Sequence, residues 1–252
     1  MMRAPILILT GLLLGLAANC VFAEPRTTPP TATAERQMAK EAQFTLSMNY
    51  LLYLPHDYKS DRRARWPLLL FLHGSGESGD DLNKVKLHGP PKLIEAGQDL
   101  PFIVVSPQAK TFGWDTAQLG ALLDTIERKY RVETDRIYVT GLSMGGYGTW
   151  AMAAAFPQRF AAITPICGSG NPVTAAALRH LPVWVFHGAQ DTVVPPEGSA
   201  NMVKALRAAG ATDVQFTLYD DAGHDAWTRT YDDPKFWQWL ARQKRGQHGE
   251  PQ

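Results

Sequence analysis

The residues able to do chemistry concentrate in a few short stretches. The first is Gly141-Leu142-Ser143-Met144-Gly145-Gly146. It follows the apolar run Arg136–Thr140 and opens the alanine-rich segment Met144–Phe156. G-x-S-x-G between a strand and a helix makes a turn so tight that its central residue takes a strained backbone. The positions two away on each side must be nearly free of side chain, and Gly141 and Gly145 meet that need. Ser143 Oγ then stands above the sheet. The Met144 N–H, at a helix start, points where an oxyanion would develop.

A serine hydroxyl is a weak nucleophile and needs a base. The histidines are His56, His73, His88, His180, His187, His224 and His248. His56 lies in a turn, His248 in the tail and His180 beside a strand start. His73 and His187 each precede Gly at a strand end, where an imidazole braces a loop. His224, in Asp220-Asp221-Ala222-Gly223-His224-Asp225, follows the last strand and is the base expected here. Its orienter is Asp191, in His187-Gly188-Ala189-Gln190-Asp191-Thr192, just past another strand. A buried carboxylate there fixes the imidazole tautomer and stabilises imidazolium. Asp220, Asp221 and Asp225 lie too close to His224 along the chain to serve easily.

The second oxyanion donor should come from the loop after an earlier strand, His73-Gly74-Ser75-Gly76-Glu77. The Ser75 N–H is expected, with Gly74 as the alternative. Trp114, Trp227 and His88 sit on loops that could line the mouth and bind substrate. Glu77, Asp80 and Asp81 read as a solvated acidic turn without metal-ligand spacing, so no metal or other cofactor is expected. Cys167 ends an apolar run and reads as a small core residue.

The elements that must position these residues alternate. Pro67–Leu72 and Phe102–Val105 are short apolar runs suited to strands buried on both faces. Arg136–Thr140, Phe160–Cys167, Val183–Phe186 and Val214–Leu218 are further strands. Gln118–Tyr130 spaces Leu119, Leu122, Leu123 and Ile126 as a helix does. Met144–Phe156, Pro195–Ala209 and Pro234–Leu240 are further helices, and Phe44–Leu54 is an edge strand or hairpin. Such alternation implies a mostly parallel central sheet with helices on both faces. Ligands then bind at the carboxyl ends of the strands, where Ser143, Asp191 and His224 all fall. Between Cys167 and the next strand lie only Gly168–Leu181, which leaves no large lid.

Composition excludes other classes. Among 252 residues, 45% are hydrophobic and 19% charged, which supports a large core. With Lys plus Arg at 25 and Asp plus Glu at 24, the chain carries no electrostatic footprint for nucleic acid. Met1 to Ala23 has the tripartite form of a secretory signal, with Val21 and Ala23 at the −3 and −1 sites. Cleavage after Ala23 places the protein outside the cytoplasm, secreted or periplasmic, without stable membrane association. A lipidated Cys20 is the less favoured reading, because Ala17-Ala18-Asn19 departs from a lipobox. Residues 24–40 read as a flexible linker, 41–242 as one catalytic domain and 243–252 as a disordered tail.

Five stretches together resemble the α/β-hydrolase superfamily: Tyr50–Tyr58, Leu70–Leu82, Val139–Trp150, Val185–Pro196 and Ala222–Trp227. The nearest branch is that of secreted esterases and predicted peptidases, related to prolyl oligopeptidase catalytic domains and dienelactone-hydrolase-type esterases. The resemblance implies an α/β-hydrolase fold and a carboxylic ester hydrolase that needs no cofactor. The resemblance names no substrate; the open site expected without a lid suits short-chain esters, small-molecule or polymer-linked. The dienelactone enzymes proper carry Cys where this chain has Ser143. A peptidase or amidase on the same triad is the alternative, and a silent binding protein on the same fold is a third.

Overall fold

The computed structural model describes residues 47–60 and 62–247. The expected signal segment, the linker and the chain end beyond Gln247 lie outside them. Seven strands form one sheet: β1 (Tyr50–Tyr53), β2 (Trp66–Leu72), β3 (Ile103–Pro107), β4 (Val132–Leu142), β5 (Ala162–Ile166), β6 (Val183–Gly188) and β7 (Val214–Tyr219). Their spatial order is β1-β3-β2-β4-β5-β6-β7. β1 is the antiparallel edge expected for the N-terminal stretch, and every other pair is parallel.

The helices are α1 (Gly89–Glu95), α2 (Thr116–Lys129), α3 (Met144–Ala155), α4 (Glu197–Ala208), α5 (Trp227–Asp232) and α6 (Pro234–Arg242). Because side chains alternate along a strand, β2 feeds two cores. Leu68, Leu70 and Leu72 face one cluster, with Leu123 of α2, Trp150 of α3 and Val203 of α4. Leu69 and Phe71 face the other, with Tyr231 of α5 and Phe236 of α6. Both layers are fully buried along β2, so this strand is an unbroken apolar run rather than an alternating one.

The chain leaves β2 for β3 on one side, then crosses back to β4 on the other. The loops after β2 and β4 therefore diverge and open a crevice at the carboxyl end of the sheet. Both the Ser143 turn and the Ser75 loop border that crevice.

Two expectations need correction. The chain does not loosen at Gln243. Gln243 is buried and its carbonyl accepts from Tyr138 Oη at 2.7 Å. Lys244 pairs with Asp135 at 2.8 Å, and Arg245 N–H donates to the Asp135 carbonyl at 2.9 Å. The polar residues after α6 thus have partners on the start of β4, which keep 243–247 on the folded body. Glu77 is likewise not part of a solvated turn: it is 6% exposed, packed between His73 and His88.

Candidate active site

Ser143 sits between β4 and α3 with φ 52° and ψ −118°. The turn holds it from several sides. Its N–H donates to the Ile166 carbonyl at 2.9 Å, and its own carbonyl accepts from Gly146 N–H at 2.8 Å. The glycine requirement is steric. A Cβ on Gly141 would lie 2.4 Å from the Gly145 carbonyl oxygen, and one on Gly145 would lie 1.9 Å from that of Leu72. Neither clash can be relieved, because both partners are backbone.

Ser143 Oγ lies 2.9 Å from His224 Nε2, and His224 Nδ1 lies 2.7 Å from Asp191 Oδ2. The hydroxyl donates to Nε2 when Nδ1 carries the ring proton toward the carboxylate. Three distant stretches of sequence thus meet in one line. The Asp191 side chain is fully buried, whereas that of His224 is 20% exposed. Burial pushes the Asp191 carboxyl up, but His224 and the N–H groups of Val194 and Val193 outweigh it and hold it below the usual carboxylate range.

The loop bearing His224 is docked on the acid loop. A Cβ on Gly188 would stand 2.1 Å from the Gly223 carbonyl oxygen, so only glycine lets the two loops touch. Ala189 N–H donates to the Tyr219 carbonyl and Gln190 N–H to that of Ala222, each at 2.9 Å. These bonds tie the end of β6 to the end of β7 and carry His224 with them.

Trp227 stands edge-on to the His224 ring, with centroids 5.1 Å apart, and His88 packs on Trp227 at 5.7 Å. Trp114 packs instead on His73, at 4.7 Å. It also fills the space beside Gly148, where a Cβ would meet its ring at 2.6 Å. His73 is a brace, as expected: Nδ1 donates to the Gly74 carbonyl at 2.6 Å and Nε2 accepts from Ala109 N–H at 3.0 Å. Burial drives its pKa down, against the opposing pull of the Gly74 carbonyl and Glu77. Ser75 opens a short 3-10 turn after β2, and Met144 opens α3. Gly74 lies between them: a Cβ there would be 3.6 Å from Ser143 Cβ and 3.1 Å from Glu77 Oε2.

Three residues read in the sequence as a loop brace, a core thiol and an acidic turn prove to be neighbours of the site. His187 Nε2 lies 3.2 Å from Asp191 Oδ2. Cys167, at φ 49°, abuts the same carboxylate, and burial pushes its thiol up to about 12. Glu77 Oε2 is buried beside Gly74 without a hydrogen-bond partner. Among the described residues, Cys167, Asp191 and His224 form the one group whose donor atoms could converge on a metal, all within 4.8 Å. Asp191 and His224 are already bonded to each other at 2.7 Å, and the thiol keeps its proton. That donor set suits a hydrogen-bonded line better than an ion.

The dienelactone hydrolase family model matches residues 108–238, more than half of the chain. The chain belongs to the dienelactone hydrolase family. Its matched segment runs from the end of β3 to α6 and contains Ser143, Asp191 and His224. The fold is that of the α/β-hydrolases, shared with a thermostable esterase of known structure at TM-score 0.68 and 32% identity. That likeness covers 79% of this chain and 60% of the other. Over 161 residues the chain is 27% identical to a probable feruloyl esterase C of Aspergillus terreus, covering 61% of this chain and 58% of the relative. Over 149 residues it is 29% identical to a bifunctional acetylxylan esterase/xylanase of Neocallimastix patriciarum, covering 56% of this chain and 22% of the relative. The chain therefore spans less than two thirds of the length of each of these relatives.

Proposed function

We propose that this protein is an exported serine carboxylesterase that cleaves short-chain or polymer-linked acyl esters through an acyl-enzyme. The observation that carries the proposal is the hydrogen-bonded line Ser143–His224–Asp191, at 2.9 and 2.7 Å, on the crevice of the sheet. Ser143 Oγ attacks the ester carbonyl while His224 Nε2 takes its proton. Asp191 stabilises the imidazolium that forms. The N–H groups of Ser75 and Met144 receive the oxyanion. His224 then hands the proton to the departing alcohol, and water repeats the sequence on the acyl-Ser143 ester. Trp227, edge-on to the His224 ring, and His88 beyond it are the side chains beside the base proposed to meet the substrate. The esterase names of these relatives support ester over amide substrates, and the acetylxylan esterase name supports an acyl group carried on a polymer. No helix of the described residues is long and apolar enough to cross a membrane. Export rests on Met1–Ala23, and N-terminal sequencing of protein recovered from the periplasm or medium should begin at Glu24; a chain beginning at Met1 overturns it.

The test of the chemistry is Ser143→Ala against a panel of p-nitrophenyl esters and aminoacyl-p-nitroanilides, with fluorophosphonate labelling alongside. Ester turnover and labelling should vanish with the hydroxyl, and the anilides should be poor substrates of the wild type. Residual esterase activity within about tenfold of wild type, a barrier change of only ~1.4 kcal/mol, overturns the assignment.

A further inference from the structure

Asp191 is held by more donors than the serine–histidine pair requires. Its Oδ1 accepts from the N–H groups of Val193 and Val194, both at 2.9 Å. Its Oδ2 accepts from His224 at 2.7 Å and also faces a second imidazole, that of His187, at 3.2 Å. His187 is fully buried near the end of β6.

Proton counting fixes which edge His187 presents. Its Nε2 faces the Val194 carbonyl at 2.9 Å and the Asp191 carboxylate, and neither can donate. Nε2 therefore carries a hydrogen. Nδ1 lies 2.7 Å from Ser199 Oγ, which is itself 3.0 Å from the Gly168 carbonyl. Ser199 has one proton. Turned to Nδ1, it leaves His187 neutral; turned to Gly168, it leaves a ring that must be protonated at both nitrogens. In either state the Nε2 hydrogen bonds the Val194 carbonyl, and the positive edge of the ring lies 3.2 Å from Asp191 Oδ2.

We infer that His187 is a positioning residue for the triad: its Nε2–H, bonded to the Val194 carbonyl, sets the positive edge of the ring 3.2 Å from Asp191 Oδ2 and limits how strongly that carboxylate draws a proton onto the base. The inference rests on the proposed role of His224. A base works only while neutral, and a carboxylate serving His224 alone would stabilise the idle imidazolium of the free enzyme as well as the useful one. A second N–H edge beside the same oxygen weakens that pull.

The other groups facing the carboxylate stay in place when His187 is replaced. Burial keeps the Cys167 thiol protonated, and burial also pushes up the Tyr219 and Tyr231 phenols beyond it. Asp220, Asp221 and Asp225 flank the His224 loop from the exposed side, with Arg229 paired to Asp221. Glu77, His73 and His88 lie on the Ser143 side. All of these are common to wild type and variants, so a difference between them reports on His187.

The experiment compares the pH dependence of kcat/KM for wild type, His187→Asn and His187→Gln. An Asn amide reaches the place of Nδ1, toward Ser199, and falls short of Asp191. A Gln amide nitrogen reaches the place of Nε2. In His187→Asn the acid limb should move up by roughly 0.5–1 pH unit, so activity well below the limb falls about 3- to 10-fold while activity on the alkaline plateau hardly changes. His187→Gln should keep the wild-type limb. A mere brace would lower activity equally at all pH values; an unmoved limb in His187→Asn therefore overturns the inference. If His187→Asn does not fold, His187→Ser, which likewise lacks the Nε2 edge, takes its place: a raised limb supports the inference, and an unmoved one overturns it. A wild-type profile flat from pH 5 to 8 instead sinks the histidine base itself.

Discussion

The turn that presents Ser143 should be less stable than the same turn without a Cβ, and the difference can be measured. At φ 52° and ψ −118° a residue with a side chain is strained by about 1–3 kcal/mol, whereas glycine is not. Comparing Ser143→Ala with Ser143→Gly isolates that strain, because both lose the hydroxyl and its bond to His224. Glycine gives back about 0.5–1 kcal/mol through the greater freedom of the unfolded chain. It also forgoes burial of one methyl group, at most ~0.8 kcal/mol, and less here because Ser143 is only half-buried. The balance leaves Ser143→Gly more stable than Ser143→Ala by about 1 kcal/mol, or ~2–4 °C in Tm for a domain of this size. Urea unfolding of the two variants, with thermal melts beside it, is the assay. Ala151, exposed on α3, supplies the control: Ala151→Gly should destabilise by about 0.5–1 kcal/mol, the opposite sign. If Ser143→Ala proves as stable as Ser143→Gly while the control behaves, the turn stores no strain and the steric account of the motif is wrong.

Three further outcomes follow from the same geometry. If His224 is the base, kcat/KM should fall on acidification, because imidazolium cannot accept the serine proton, and His224→Asn should be nearly as damaging as Ser143→Ala; either variant retaining a tenth of the wild-type rate would contradict this. His73 binds its proton later in the folded chain than in the unfolded one, where the value is 6.5. The stability held by neutral His73 is therefore complete above that value and is lost as pH falls below it, so urea midpoints should decline from pH 7 to 5 and decline less in His73→Gln; a rise on acidification runs against the burial assignment. With only residues 167–182 between β5 and β6, acetyl and butyryl esters should outperform palmitoyl esters, since a methylene gains at most ~0.8 kcal/mol and only where buried; a maximum at C12 or longer, or a rate jump above the critical micelle concentration, would show a segment closing over the substrate.

What the sequence disclosed of the site depends on where each residue's constraint comes from. The turn at Ser143 announces itself because its demand is local: Gly141 and Gly145 are needed two positions away, whatever the rest of the chain does. Asp191 and His224 were legible because each follows a strand, and a parallel sheet brings strand ends together. The sheet itself was legible from its apolar runs, within one to four residues at most boundaries. Short α1 and α5 were not, since seven and six residues give too little period to read. His187, Cys167 and Glu77 carry no local mark at all. His187 and His73 have the same setting in the sequence, an imidazole before Gly at a strand end, yet one meets a carboxylate at 3.2 Å and the other a backbone N–H at 3.0 Å. The difference lies in which loop folds back over each strand end. After β6 the loop returns its own Asp191, four residues on, whereas after β2 it is Ala109, from beyond β3, that caps His73. A histidine at a strand end is thus given its role by the return path of the chain, which no window of residues around it contains.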